Sequence, residues 1–509
     1  MKKEFKKIVT MAAALVLTCG CIMSGFHHAP ELSFAEDGNA EQTERVTGDI
    51  NGDGVVNAAD FLKMLQYMYG ADEFDENEAA GADENSDKKI NVADFILLKN
   101  KITDPMALSP DDPFYGALAA PDLKNIRRES GADAIDYMNF AAASAEAVLI
   151  DSEDEKGAEN PVYSPLSYYM ALSMTAECAS GNTRDEIVKA LGSEDIEKLR
   201  ESNESIFRCV NFENDAANCI LSNSLWLNNK YDFKQDTLNL LAKNYYAVSF
   251  AKDFGNEQTA NEISDWISKN TKGKLNPEIK IGDPELDVMK ILNTVTFKAP
   301  WDEAFKSSGK EVFHKRDGSE VTCDFLKEHT SGAVGSGENY KVFGKSYDYG
   351  FRLNFVLPDE GVDINDIISD SDTLAEIYIG NYVAEKYDVD FSMPPFEVSS
   401  KFDLKGAAKE LGISDAFNSG KADFSSLTDN EKSGAYIDAI THEAVLKTDK
   451  DGSEGAAYTI VEIKASASPM PLKNKAEFKL DRPFFYYVSY GRIPVFAGVI
   501  DEPDKAVKK

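Results

Sequence analysis

Residues 452–471 limit the fold more tightly than any other stretch, because they suit two incompatible conformations. Every second residue from Ser453, namely Ser453, Gly455, Ala457, Thr459, Val461 and Ile463, is small or β-branched, while the interleaved set includes Glu454, Tyr458, Glu462 and Lys464. Alternation of period two is what a strand needs to bury one face. Directly after it come Ala465, Ser466, Ala467, Ser468, Pro469, Met470 and Pro471, as in an exposed loop open to proteolysis. The fold must offer this stretch one place in solvent and another inside a sheet. Moving about a dozen residues into a sheet forms about ten ladder hydrogen bonds at ~1 kcal/mol net each. Burying Thr459, Val461 and Ile463 adds roughly 1.5–3 kcal/mol for each large aliphatic side chain. The total, on the order of 10 kcal/mol, rivals the stability of a whole domain. The loop form must then persist behind a kinetic barrier.

The chain has 509 residues, room for one large domain and a small one, or for about two to four ordinary domains. Its 88 Asp and Glu against 54 Lys and Arg leave a net charge of −34, which excludes nucleic-acid or anionic-membrane binding through a basic face. Lys2, Lys3, Lys6 and Lys7 precede an apolar run over residues 8–17, too short for a membrane span, with small residues at Ser33 and Ala35. Residues 1–35 therefore read as a secretion signal, and the mature chain starts near Glu36. A lipid anchor at Cys21 is the alternative, although Thr18 and Cys19 fit such a signal poorly. The remaining cysteines, Cys178, Cys209, Cys219 and Cys323, lack metal-site spacing and read as buried thiols with room for one incidental bridge. Helical spacing dominates early in the large region and strand patterns dominate late, which predicts an α+β fold.

Two short units near the start repeat each other, Asp49 superimposing on Asp83. Oxygen-bearing side chains fall at positions 1, 3, 5, 9 and 12: Asp49, Asn51, Asp53, Asn57 and Asp60, then Asp83, Asn85, Asp87, Asn91 and Asp94. Position 7 adds a backbone carbonyl, from Val55 and Lys89. Calcium is a hard cation taking 6–8 oxygens, and a twelve-residue loop of this kind wraps one ion. The first loop has Gly54 at the sharp turn and the second has Lys88, which predicts weaker binding or a strained turn there. An apolar helix follows each loop, and no amphipathic helix precedes either. This duplicated loop-then-helix pattern over residues 46–102 resembles a dockerin, a small all-α module that plugs proteins into scaffoldin cohesins. The resemblance implies two calcium ions and cohesin contacts at Ala58, Ala59, Val92 and Ala93, where simple helix packing is the competing role. Residues 103–127, with Pro105, Pro110, Pro113 and Pro121, read as an extended linker.

In the large region, Ser164 fits a helix N-cap with Pro165 at the first helical position. With it come Asn223-Ser224-Leu225-Trp226, the apolar strand around Asn293, Trp301 and Phe305, Ala422-Asp423-Phe424-Ser425, and Arg482-Pro483-Phe484. In this order, residues 128–505 resemble a serpin: three β-sheets with surrounding helices and an exposed reactive-centre loop. The resemblance makes Gly452, Ser453, Glu454, Gly455, Ala456 and Ala457 the hinge. Counting from Gly452 places the scissile bond at Ser466–Ala467, whereas counting back from Phe478 and Pro483 points near Leu472; Lys464 and Met470 are competitors. Ser164, Ser167, Asn293 and His442 match the shutter, where the sheet parts, and Trp301 matches the breach, where insertion begins. The same residues also serve as ordinary satisfied core groups. The implied protein is a secreted monomer that traps a serine protease covalently, with small residues around the bond suiting subtilisin- or elastase-like targets.

Two alternatives stand beside that expectation: a serpin that binds without inhibiting, and a scaffold-borne hydrolase. Beyond residue 35 the only histidines are His314, His329 and His442. No Gly-x-Ser-x-Gly elbow is present, and His442-Glu443 lacks the second histidine of a zinc protease. No catalytic residue is assigned.

Overall fold

The structure is a computed structural model and describes residues 47–52, 56, 58–68, 70, 73–85, 88–103, 114, 116–150, 160–283, 287–428, 434–453 and 474–506. The signal sequence expected at 1–35 lies outside the described residues. The chain divides into two compact units, Met1–Leu118 and Ala119–Lys509.

In the first unit, helices α1 (Ala58–Met68), α2 (Glu76–Ala82) and α3 (Val92–Thr103) pack around Ile50, Met64, Tyr67, Ala79, Ala82, Ile90 and Leu98. The repeat is visible in the packing, since Phe61 and its counterpart Phe95 stack at 4.7 Å between ring centroids. One expectation needs correction: α2 does precede the second loop. Its start is a capping box, in which the Asp75 carboxylate accepts from the N–H groups of Asn77 and Glu78, and Glu78 reaches back to the Asp75 N–H.

The second unit is mixed, with helices early and strands late. Helix α4 (Ile135–Leu149) is followed by α5 (Pro165–Cys178), then by helices at Gly181–Ala190, Ile196–Val210, Gln235–Asn244 and Glu257–Asn270. Helix α5 starts as its sequence dictates: the Ser164 hydroxyl accepts from the Ser167 N–H at 3.1 Å, and Pro165 takes the first turn. It is apolar on nearly all sides and almost wholly buried, as a helix through the core must be. Within the expected linker, Leu123–Asn125 forms a 3-10 turn; just after it, Arg128 stacks over Phe212 and donates to the Tyr490 hydroxyl at 3.0 Å.

Besides short strands at Ala117–Ala119, Val162–Tyr163 and Phe212–Glu213, the strands are β1 (Asn218–Asn228), β2 (Ala247–Lys252), β3 (Met289–Pro300), β4 (Ser307–His314), β5 (Glu320–Ser336), β6 (Tyr340–Ser346), β7 (Phe351–Pro358), β8 (Val383–Met393), β9 (Phe396–Asp403), β10 (Thr441–Thr448), β11 (Gly452–Ser453), β12 (Lys475–Lys479), β13 (Phe484–Tyr490) and β14 (Ile493–Ile500). In the main sheet the order from β2 is β2-β1-β3-β11-β10-β9. The other runs β12-β8-β5-β6-β7-β13-β14 and ends on Val162–Tyr163, with β4 beside β5. Three sheets were expected. The described strands form two, because β5 is 17 residues long and pairs with β4 over its first part, with β8 over residues 326–336 and with β6 at its end. All four cysteines beyond the signal are free thiols, three of them buried, so the incidental bridge is absent.

Candidate functional site

The main sheet has a weak seam. Strands β3 and β10 are long, 12 and 8 residues, yet among the described residues no ladder joins them directly. Their link is β11, whose Gly452 and Ser453 pair with Pro300 and Ala299 of β3, while Ser453 also pairs with Thr448 of β10. Ser453 is 0% exposed. Its hydroxyl shares hydrogen bonds with the Thr448 Oγ1 at 2.7 Å and with the Tyr347 hydroxyl. Burial pushes the Tyr347 phenol far above its ordinary range, so it stays a neutral partner. Gly452 is required sterically, because an added Cβ would collide with the Ala299 carbonyl and lie 2.8 Å from the Pro300 Cα. Gly452 and Ser453 are both buried, and the residues that would show the alternation, from Glu454 on, are not described. Glu454, Gly455, Ala456, Ala457, Ser466, Ala467, Lys464, Met470 and Leu472 lie outside the described residues.

At the top of the seam Trp301 is buried and stacked on Tyr347, with centroids 4.1 Å apart and planes at 6°. Its indole N–H donates to the Asp449 carbonyl at 2.9 Å, just before the hinge.

Midway along the seam the structure brings together Ser164, Ser167, Asn293 and His442. The Ser164 N–H donates to His442 Nε2 at 3.0 Å, its hydroxyl to the Val495 carbonyl at 2.7 Å, and the Ser167 hydroxyl to the Asn293 carbonyl at 3.3 Å. Burial pulls the His442 pKa down to about 4, which keeps the ring neutral and able to accept. The Asn293 amide donates to Asn223 Oδ1 at 2.6 Å and to the Met170 sulfur at 3.7 Å. Its side-chain oxygen is buried without a hydrogen-bond partner among the described residues. Such an orphan costs about 1–3 kcal/mol, which an arriving donor recovers. Asn223 and Tyr347 were given no role from sequence; Asn223 stood in a recognised segment, and nothing marked Tyr347.

In the first unit the two loops repeat one hydrogen-bond pattern: Asp60 Oδ1 accepts from the Asn51 N–H at 3.0 Å, and Asp94 Oδ1 from the Asn85 N–H at 3.3 Å. Asp49, Asp60, Asp83 and Asp94 are all buried. Among the described residues no group of three acidic, histidine or cysteine side chains converges as a metal site; Asp53, Val55, Asn57 and Asp87 lie outside the described residues. The donors at hand, with Asn51, Asn85, Asn91 and the Lys89 carbonyl, are all oxygens, and buried carboxylates of this kind fit a hard cation. The strained turn is present: Lys88 has φ 64°, and its N–H donates to Asp83 Oδ2 at 2.8 Å. Of the four expected cohesin contacts, Ala59 is exposed, Val92 and Ala93 are half-buried with Val92 packed on the core, and nothing is described for the Ala58 side chain.

The profile of the Serpin (serine protease inhibitor) family matches residues 141–503, and the chain belongs to that family. The dockerin type I domain matches residues 47–103, so a dockerin precedes the serpin domain. Serpin-ZX of Arabidopsis thaliana is 25% identical over 363 residues, covering 68% of this chain and 92% of its own length. Serpin-Z1C of Triticum aestivum is 25% identical over 377 residues, covering 70% and 93%. Among solved structures, the thermophilic serpin Tengpin in its native state has a TM-score of 0.63 and 28% identity, covering 75% of this chain and 100% of that one. Thyroxine-binding globulin in complex with thyroxine shares the fold at TM-score 0.61 and 23% identity, covering 72% and 99%. The serpin family is not a family of enzymes, which sets the hydrolase alternative aside. No described helix is long and apolar enough to cross a membrane.

Proposed function

We propose that this chain is a secreted suicide inhibitor of subtilisin- or elastase-like serine proteases, attached to a scaffoldin cohesin through its dockerin. The observation that carries the inhibitory reading is Ser453, fully buried as a wedge between β3 and β10, which no ladder joins directly among the described residues. In the proposed sequence the protease serine attacks the Ser466 carbonyl, the bond to Ala467 breaks, and Ala467 leaves as a free amine. The Ser466 acyl group stays esterified to the protease. The freed strand then continues the pairing that Gly452 and Ser453 have begun, parting the seam past Asn293 and His442. The orphaned Asn293 oxygen supports this, since an incoming strand supplies N–H donors.

Secretion rests on residues 1–35, with a lipid anchor at Cys21 as the alternative. The dockerin loops are read as holding two calcium ions, through Asp49, Asn51, Asp53, Val55, Asn57 and Asp60, and through Asp83, Asn85, Asp87, Lys89, Asn91 and Asp94. Bound calcium neutralises and cross-links these oxygens. Shielding of scaffold-borne enzymes from proteolysis follows from having both modules in one chain; equal enzyme loss with and without this protein would refute it.

The test is incubation with subtilisin and with elastase. The expected result is a band that survives boiling in detergent, together with a released peptide whose mass begins at Ala467. Clean cleavage with no such band would reject inhibition and leave a serpin that binds without trapping.

A further inference from the structure

Segment 301–305 follows β3 and has little regular structure of its own, yet it grips the approach to the hinge. The Trp301 N–H donates to the Asp451 carbonyl and the Phe305 N–H to the Lys450 carbonyl, both at 3.1 Å. With the indole bond to Asp449, three consecutive carbonyls before Gly452 are held by this one segment. Beneath it lies Lys345 of β6. Its ammonium donates to the Glu303 carbonyl at 2.8 Å and to Glu328 Oε2 of β5 at 2.5 Å. The Phe305 and Trp301 ring centroids stand 4.5 and 5.3 Å from it. The two charged side chains are only 6% and 7% exposed. Burial pulls the Lys345 pKa below its ordinary value, and Glu328 offsets part of that.

A buried ion pair adds little stability over apolar residues of the same volume. An ammonium does supply what a methyl group cannot: a donor to the Glu303 carbonyl and a cation against two rings. We propose that Lys345, neutralised by Glu328, is a positioning residue for hinge insertion, holding segment 301–305 in the shape that receives residues 449–453. This rests on the inhibitory reading above. Loosening the segment weakens the pairing that Gly452 and Ser453 already make and so slows its continuation by the residues after them, while the loop's cleavage is untouched. Water then attacks the Ser466 ester more often before insertion, freeing the protease serine and leaving a Ser466 carboxylate on spent inhibitor.

The test compares Lys345→Met, Lys345→Arg and the double variant Lys345→Met/Glu328→Leu. The double variant removes both charges, so no carboxylate is stranded and the fold is kept. Each is titrated against subtilisin for inhibitor consumed per protease trapped and for the second-order rate of loop cleavage. Consumption should rise about threefold or more in Lys345→Met and in the double variant, at an unchanged cleavage rate. Lys345→Arg should restore it. Unchanged consumption in the double variant overturns the proposal, whatever its melting temperature does. If the unsubstituted protein gives no boil-resistant band, the inhibitory reading has failed, and hydrogen exchange decides the clamp. The Trp301 and Phe305 amides should then exchange about tenfold faster in the double variant, and equal exchange overturns the proposal.

Discussion

Replacing Ser453 with arginine should turn the trap into a substrate. Ser453 is fully buried, and its hydroxyl joins Thr448 and Tyr347 across the seam. Each of those bonds contributes about 0.5–1.5 kcal/mol net. The backbone pairs of β11 with β3 and β10 add a few more at ~1 kcal/mol each. Together they hold the hinge in the sheet by roughly 3–5 kcal/mol. A guanidinium there loses both hydroxyl bonds and carries an effective desolvation penalty of several kcal/mol. The balance reverses, and β11 leaves the sheet. In a titration against subtilisin, Ser453→Arg should give cleaved protein and no boil-resistant band. Ser453→Thr keeps the hydroxyl and should still trap. A normal yield of complex from Ser453→Arg would refute the reasoning that insertion begins from this buried residue.

Three further outcomes are expected. His442 has a folded pKa of about 4, below its unfolded value of about 6.5, so the unfolded chain binds more protons between these values. Its contribution is complete above pH 6.5 and is lost as pH falls toward 4, by roughly 3 kcal/mol; His442→Gln should remove that part of the slope in denaturant titrations, and an unchanged slope would contradict it. Chelating calcium should abolish the thermal transition of residues 47–103 and leave that of the serpin domain in place, because Asp60 and Asp94 are carboxylates with no exposure; identical melts with and without chelator would refute the calcium assignment. Lys88→Gly should relieve a positive φ worth about 1 kcal/mol and tighten calcium binding by calorimetry; weaker binding would contradict the strained-turn reading.

What was legible in the sequence was what local chemistry writes locally. The Ser164-Pro165 helix start, the alternation from Ser453 and the two acidic loops each lie within one short stretch, and the helix start forms as that chemistry dictates. The capping box of α2 is equally local, in Asp75 and Glu78, but so many acidic residues around it hide the signal. The Lys345–Glu328 pair was not legible. Its partners sit on neighbouring strands, and in a chain of net charge −34 one more lysine or glutamate carries no signal until the fold buries it. The Asn293–Asn223 bond is hidden for the same reason, since the register of β1 against β3 brings the two amides opposite each other.

The most direct measurement compares thermal unfolding of the intact protein with that of the protein nicked in its loop. A gain on the order of 10 kcal/mol should raise the melting temperature of the nicked form by about 12 °C for a domain of this size. Coincident melting curves would mean that residues 453–463 add no strand between β3 and β10, and the account would be wrong.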